Sequence, residues 1–216
     1  MSVATIVSQS TPSGFSAIAI IRLSGTKATN IAAKLSNQKT VLKHQRASLR
    51  PIYIKRKLVD EAIFTAFLSP QSYTGEDIVE ISCHGNVHVC EGIITETIRL
   101  GARIAEPGEY TKRAFLNGKI NLLQAESISL LIQARSIEAA KQQTKNLTGG
   151  VTEKIEQVKK SLIGILSHLE YELDVSEGPF LEKESVGFIK TNLKKCLKSA
   201  NSMTETFNRG SALSNG

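Results

Sequence analysis

Hydrophobic and polar positions change rhythm along this chain near residue 118. Before that point the apolar stretches are short and mixed in period. "SAIAIIRLS" (16–24) is an apolar run between Gly14 and Gly25 and predicts a buried strand. "TKATNIAAKLS" (26–36) predicts a short helix. "SLRPIYIK" (48–55) and "EAIFTAFL" (61–68) alternate as strands do, around the polar break 55–60. "DIVEIS" (77–82) predicts a further strand, entered from the turn-like "SYTGE". "VHVCEGIITETIRLG" (87–101) has helical spacing and a glycine stop, and "ARIA" (102–105) predicts a short strand. Pro107 then suits the first turn of a helix through "GEYTKRAFL". Strands and helices mixed without regular alternation predict an α+β domain.

Beyond residue 118 every signal is helical. Asn121, with Gln124 three positions on, fits a capping box opening one helix to about Leu147, ended by Gly149-Gly150. A second helix carries Val151, Ile155, Val158, Leu162, Ile165, Leu169 and Leu173, a seam for a neighbouring helix. "DVSEGPF" (174–180) interrupts it. A third helix carries Val186, Ile189, Leu193, Leu197, Ala200, Met203 and Phe207, and three such helices predict an antiparallel bundle. "NRGSALSNG" (208–216) reads as a linker. The expected division is a mixed α/β domain at 1–118, a helical domain at 119–210 and a linker at 211–216.

Composition narrows the classes. The 216 residues are 41% hydrophobic, enough for one large domain or two small ones. No run approaches the roughly 18 apolar residues of a membrane span. The opening "MSVATIVSQSTPSG" lacks a secretory signal and is not an Arg-rich transit peptide. Cys83, Cys90 and Cys196 form no disulfide framework, so a reduced, cytoplasmic setting is expected. The net charge of +7 is uneven: residues 1–118 hold 14 Lys+Arg against 9 Asp+Glu. From Lys34 to Lys57 there are eight cationic side chains and no acid. That block fits either attraction to a polyanion such as RNA or a solvated surface.

Three groups of residues invite a chemical reading. Gly118-Lys119 evokes a phosphate-binding loop, but the first glycine of that pattern would fall at Arg113 and its hydroxyl at Ile120. No other stretch fits either, so GTP binding and hydrolysis by residues 1–216 are not expected. Cys83, His84, His88 and Cys90 evoke zinc, yet the usual ligand spacings are missing and adjacent Cys83 and His84 should point to opposite sides. Glu80 lies within an apolar strand, where alternation sets Ile78 and Glu80 on one face and Val79 and Ile81 on the other. Arg22 ends another such run, and Lys119 stands at a helix entry. Singly, each reads as an edge charge or internal ion pair. Together they suit a ligand bearing both donors and anionic groups.

"SYTGEDIVEISCHG" (72–85) followed by "PGEYTKRAFLNGKINLLQAES" (107–127) resembles the tRNA-modification GTPase (MnmE or TrmE) family. "TIVSQSTPSGFSAIAIIRLSG" (5–25) is similar to that family's opening, and "NRGSALSNG" to the stretch before its GTPase domain. The resemblance covers the whole chain. It implies an N-terminal domain similar to the folate-binding domains of aminomethyltransferases, which dimerises. That domain binds a tetrahydrofolate derivative, 5-formyl or 5,10-methylene, and the folate-contacting positions match Arg22, Glu80 and Lys119. It further implies a flavin-binding partner protein, tRNA as substrate, and a carboxymethylaminomethyl-type addition at C5 of the wobble uridine. GTP hydrolysis, dependent on potassium and magnesium, belongs to an inserted domain of that family. The sequence departs from the family at Phe15-Ser16-Ala17 and Asn86, where glycines are usual, and at Asn121, where aspartate is common. Two other functions remain open on the residues alone: a stand-alone folate-dependent aminomethyltransferase-like protein, and a basic RNA-binding module.

Overall fold

The mixed rhythm before residue 118 builds a single six-stranded sheet in the computed structural model, which describes residues 4–38, 40–175 and 183–214. The strands are β1 (Ile6–Gln9), β2 (Ser16–Ser24), β3 (Ala47–Ile54), β4 (Lys57–Phe67), β5 (Ile78–Gly85) and β6 (Arg103–Ile104). Their order across the sheet is β3-β4-β5-β2-β1-β6. All neighbours are antiparallel except β1 and β6. Three helices belong with the sheet: α1 (Ala28–Leu35), α2 (Val87–Arg99) and α3 (Glu109–Leu116). The fold class is therefore the mixed sheet with helices that the sequence predicts, followed by an all-helical region.

Alternation decides the faces. Ala19, Ile21 and Leu23 of β2, Val79, Ile81 and Cys83 of β5, and Ala62, Phe64 and Ala66 of β4 point into one core. Ala28, Ile31, Ala32 and Leu35 of α1 and Cys90 and Ile93 of α2 close that core from above. At roughly 1.5–3 kcal/mol for each fully buried large aliphatic side chain, this layer dominates the stability of the sheet. Intervening residues, among them Arg22 and Glu80, take the opposite face. The β3–β4 hairpin turns on Lys55 and Arg56, with φ of 49° and 66°. Left-handed backbone at both turn positions is the type I′ signature that matches strand twist.

The short strand β1 is absent from the sequence expectations. Its four residues, IVSQ, carry only two apolar side chains, too few for a periodic signal. It is held by β2 on one edge and by β6 on the other.

The chain divides into two compact units, Met1–Asn121 and Leu122–Gly216. In the second, the expected single helix over 121–147 is two helices, α4 (Leu122–Ile132) and α5 (Ile137–Leu147). The break arises at Ser136, whose extended backbone and hydroxyl cap α5 by accepting from Ala139 N at 3.1 Å. Gln124 donates from its side-chain amide to Leu147 O at 2.7 Å and ties the start of α4 to the end of α5. Helices α6 (Gly150–Val175) and α7 (Lys183–Ser214) pair with each other. The described residues thus hold four helices in this unit rather than three. The interruption expected at 174–180 falls largely on 176–182, outside the described residues. Helix α7 runs on through most of the segment read as a linker, where Ala212 and Leu213 favour helix intrinsically. The seam of α6 is only partly covered: Ile165 is buried while Ile155, Leu162 and Leu173 are exposed.

Candidate functional site

The polar face of β2 and β5 carries the first feature. Register places Arg22 of β2 directly opposite Glu80 of β5. Arg22 Nε and Nη2 both reach Glu80 Oε1, at 2.9 and 2.7 Å. Glu80 Oε2 has no protein partner among the described residues. Each side chain is about a quarter exposed, so the pair is neither sealed in the core nor fully hydrated. Beside it opens a cleft of about 310 Å³, lined by Arg22, Glu80, Gln45, Phe67, Gln71 and Tyr73 with Ser72 and Ile78. Two aromatic rings, two amides and one carboxylate oxygen free of protein contacts suit a flat, polar-edged ring. Gln45 reaches the cleft from a left-handed backbone, φ 54°, anchored by its N–H on Ala66 O at 2.7 Å.

Helix α3 supports the pair from the same side of the sheet. Tyr110 donates its hydroxyl proton to Arg22 O at 2.6 Å and accepts from Ser8 Oγ at 3.3 Å. The Arg22 guanidinium carbon lies 5.6 Å from the Tyr110 ring centre, in cation–π range. Burial raises the Tyr110 pKa, so its proton stays in place for that bond. One turn along, buried Arg113 bridges Glu109 and Glu76 and also donates to Ala4 O at 2.8 Å. Arg103 makes a two-pronged contact with Glu109, at 2.8 and 2.5 Å. Hydrogen bonding from Arg103, aided by Glu106 N and Arg113, holds the Glu109 carboxyl down at about 2 despite its burial. Ser24 donates to Glu76 Oε2 at 2.8 Å and meets Thr74 at 2.8 Å. This network ties β2, the 72–77 segment and α3 together.

Lys119 is brought near the cleft but does not line it. Its ammonium donates to Pro70 O at 3.0 Å, next to Gln71. Its stem passes Gly75, where an added Cβ would sit 3.3 Å from Lys119 Cγ. The structure thus pairs Arg22 with Glu80 and sets Lys119 on the neighbouring loop.

Cys83 and His84 point to opposite sides of β5. Cys83 faces the core, and burial first, then nearby Cys90, pushes its thiol up to about 12. His84, also in β5, is exposed and its Nδ1 meets Asp60 Oδ1 at 2.7 Å. No group of metal-ligating side chains gathers among the described residues. Asn86 caps α2, accepting from His88 N at 2.9 Å and Val89 N at 3.4 Å. Its φ of −102° does not call for glycine, so the departure at this position costs the backbone nothing.

Sequence reasoning missed Tyr110, Gln45, Gln71, Phe67 and Tyr73. Only Tyr110 gave a signal, as the one aromatic ring on the early, charged turn of α3. In the basic block, Arg50 turns out to be buried, with 2% of its surface exposed. That cation is not part of a solvated face.

Comparison with known proteins agrees with this architecture. The profile of the GTP-binding protein TrmE N-terminus matches residues 5–119, and that of the MnmE helical domain matches residues 122–216. The chain is 43% identical over 199 residues to the tRNA modification GTPase MnmE of Fervidobacterium nodosum, covering 90% of this chain and 43% of that protein. It is 45% identical over 174 residues to the corresponding protein of Wolinella succinogenes, covering 80% and 38%. With that of Bdellovibrio bacteriovorus it shares 37% over 219 residues, covering 98% and 45%. The chain spans less than half the length of these relatives. No helix among its described residues is long and apolar enough to cross a membrane. Matched along both of its units, the chain belongs to the MnmE (TrmE) family of tRNA modification GTPases, of which it carries the N-terminal and helical domains.

Proposed function

We propose that residues 1–121 bind a tetrahydrofolate derivative, 5-formyl or 5,10-methylene, as the one-carbon site of a tRNA-modifying assembly. The observation that carries the reading is the Arg22–Glu80 pair beside a cleft with aromatic walls. A pterin edge offers N–H donors, and Glu80 Oε2 is an acceptor without a protein partner. Phe67 and Tyr73 supply faces for the flat ring, and Gln45 and Gln71 supply amides for its remaining polar edge. At about 310 Å³ the cleft suits the ring system, at the small end of ligand sites. Lys119, on the neighbouring loop, would hold the glutamate tail. Arg22 orients Glu80 and compensates its charge. Bound folate supplies the one-carbon unit; the residues here bind, orient and exclude water.

The wider reading follows the family. A homodimer forms through the N-terminal domain, a flavin-binding protein joins it, and together they modify C5 of the wobble uridine of tRNA. GTP hydrolysis with potassium and magnesium belongs to the GTPase domain of the whole protein. Residues 1–216, lacking a phosphate loop, neither bind nor hydrolyse GTP.

Titration calorimetry with 5-formyl-tetrahydrofolate tests the site. Glu80→Ala should weaken binding by roughly 1.5–3 kcal/mol, the range for hydrogen bonds to a charged group. Lys119→Ala should weaken it less, with an effect that shrinks in salt. His84→Ala should bind as the parent does, since that side chain is engaged with Asp60. Unaltered affinity in Glu80→Ala would refute the site. Light scattering that finds only monomer at high concentration would refute the dimer.

A further inference from the structure

Arg50 lies on the core-facing side of β3, level with Ile52, and its residue surface is 2% exposed. Its Nη2 donates to Thr40 O at 3.0 Å and its Nε to Ser48 Oγ at 3.2 Å. Its Nη1 is shut off from solvent and has no hydrogen-bond partner. Both of its partners are neutral, and it forms no ion pair among the described residues. Burial lowers its pKa, and no acidic group offsets that. Such a charge is unusual, because buried ions are ordinarily paired with an opposite charge. Compare Arg113, equally buried but held between two carboxylates.

The missing counter-charge has a place to go. Arg50 borders a second cleft, of about 330 Å³, with Thr40, Val41, Leu42, Lys43, Arg46, Ala47 and Ser48. Lys43 and Arg46 are exposed at it, and no acid lines it. Three cations therefore line the cleft, and the buried one of them, Arg50, lacks a counter-ion.

We propose that this cleft is a binding site for a phosphate-type oxyanion, separate from the Arg22–Glu80 cleft. Lys43 and Arg46 contact the anion directly, and Arg50 attracts it from beneath. Thr40 and Ser48 hold the guanidinium in place. Either a free phosphate ion or a phosphodiester of an RNA backbone presents the required chemistry. The site does not depend on the folate reading, and its test uses no folate.

The test follows the Nε–H resonance of Arg50 by NMR in the 216-residue chain, identified by its loss in Arg50→Lys. Inorganic phosphate is titrated at constant ionic strength against chloride, and a tRNA transcript is titrated separately. A saturable shift is expected. It should weaken at least about tenfold in Lys43→Ala/Arg46→Ala, roughly one charge-assisted hydrogen bond. It should persist in Lys55→Ala/Arg56→Ala, a control on the β3–β4 turn. A shift with tRNA that phosphate competes away assigns the RNA backbone as the source; a shift with phosphate alone assigns the free ion. No saturable shift with either probe overturns the proposal. So does equal loss in both double variants, which would mean diffuse attraction by the basic block.

Discussion

Glu109→Gln removes one charge from the network that joins β2, the 72–77 segment and α3 while keeping shape and one acceptor. The Glu109 carboxyl stands at about 2 rather than its ordinary 4.5, chiefly because Arg103 hydrogen-bonds to it. At 1.36 kcal/mol per pH unit, that depression corresponds to roughly 3 kcal/mol of folding stability. The Glu109 side chain is 8% exposed but Arg103 is 45% exposed, so solvent screens part of the contact and about 3 kcal/mol is an upper bound. The sign follows from a folded-state value below the unfolded one. The stabilisation is present above the unfolded value near 4.5 and is lost as pH falls through about 2, below which both states are protonated. Urea unfolding followed on amide resonances of β2 and β5 reports on the sheet without mixing in the helical unit. Parent minus variant should be about 1–3 kcal/mol near neutral pH and shrink steadily through the acid window. Other carboxylates titrate in both proteins and largely cancel. A difference that stays constant with pH would refute the argument, since the loss would then come from shape rather than charge.

Three further outcomes are expected. Tyr110→Phe loses the bond to Arg22 O and should cost about 1 kcal/mol, with faster hydrogen exchange around Arg22; unchanged exchange there would argue against the helix acting as a support. Gly85→Ala would set a Cβ 2.5 Å from Ser16 O, so the ends of β2 and β5 must part; a loss of roughly 1–3 kcal/mol is expected, and a neutral result in thermal unfolding would contradict it. Asn86→Ala should cost about 1 kcal/mol as a lost cap but Asn86→Gly only a few tenths, and equal losses in denaturant titration would show that the side chain does more than cap α2.

The strand and its faces were legible for β5 because alternation is a local property. Glu80 stands out on that basis, and it lies away from the core. Its partner was not legible. Arg22 and Glu80 are separated by 58 residues, and register between distant strands is set by the assembled sheet rather than by either segment. The break between α4 and α5 had a signal in Ser136, masked by the apolar run before it. Arg50 was hidden differently. In β3 the charged residue is buried and neighbouring Leu49 is exposed, the reverse of the usual pattern, and counting the block as a sum of charges conceals which member is inside. Gln45 and Gln71 sit in irregular segments, where no period exists to reveal a facing.

The order of strands across the sheet also orders events during synthesis. The hairpins β1–β2 and β3–β4 are local and can close as soon as they leave the ribosome. The free edge of β2 must wait for β5 to supply its partner, and closing so long a loop carries an entropic cost before any contact rewards it. β1 waits longer still, for β6, and the charged network on α3 is complete only when Arg113 has emerged. Nascent chains arrested just before Arg113 should therefore be protease-sensitive across β1 and β2, and chains arrested well past it resistant. Until β6 arrives, the outer edge of β1 stands open to neighbouring chains, so the slowest-maturing part of the domain is the β1 side of the sheet.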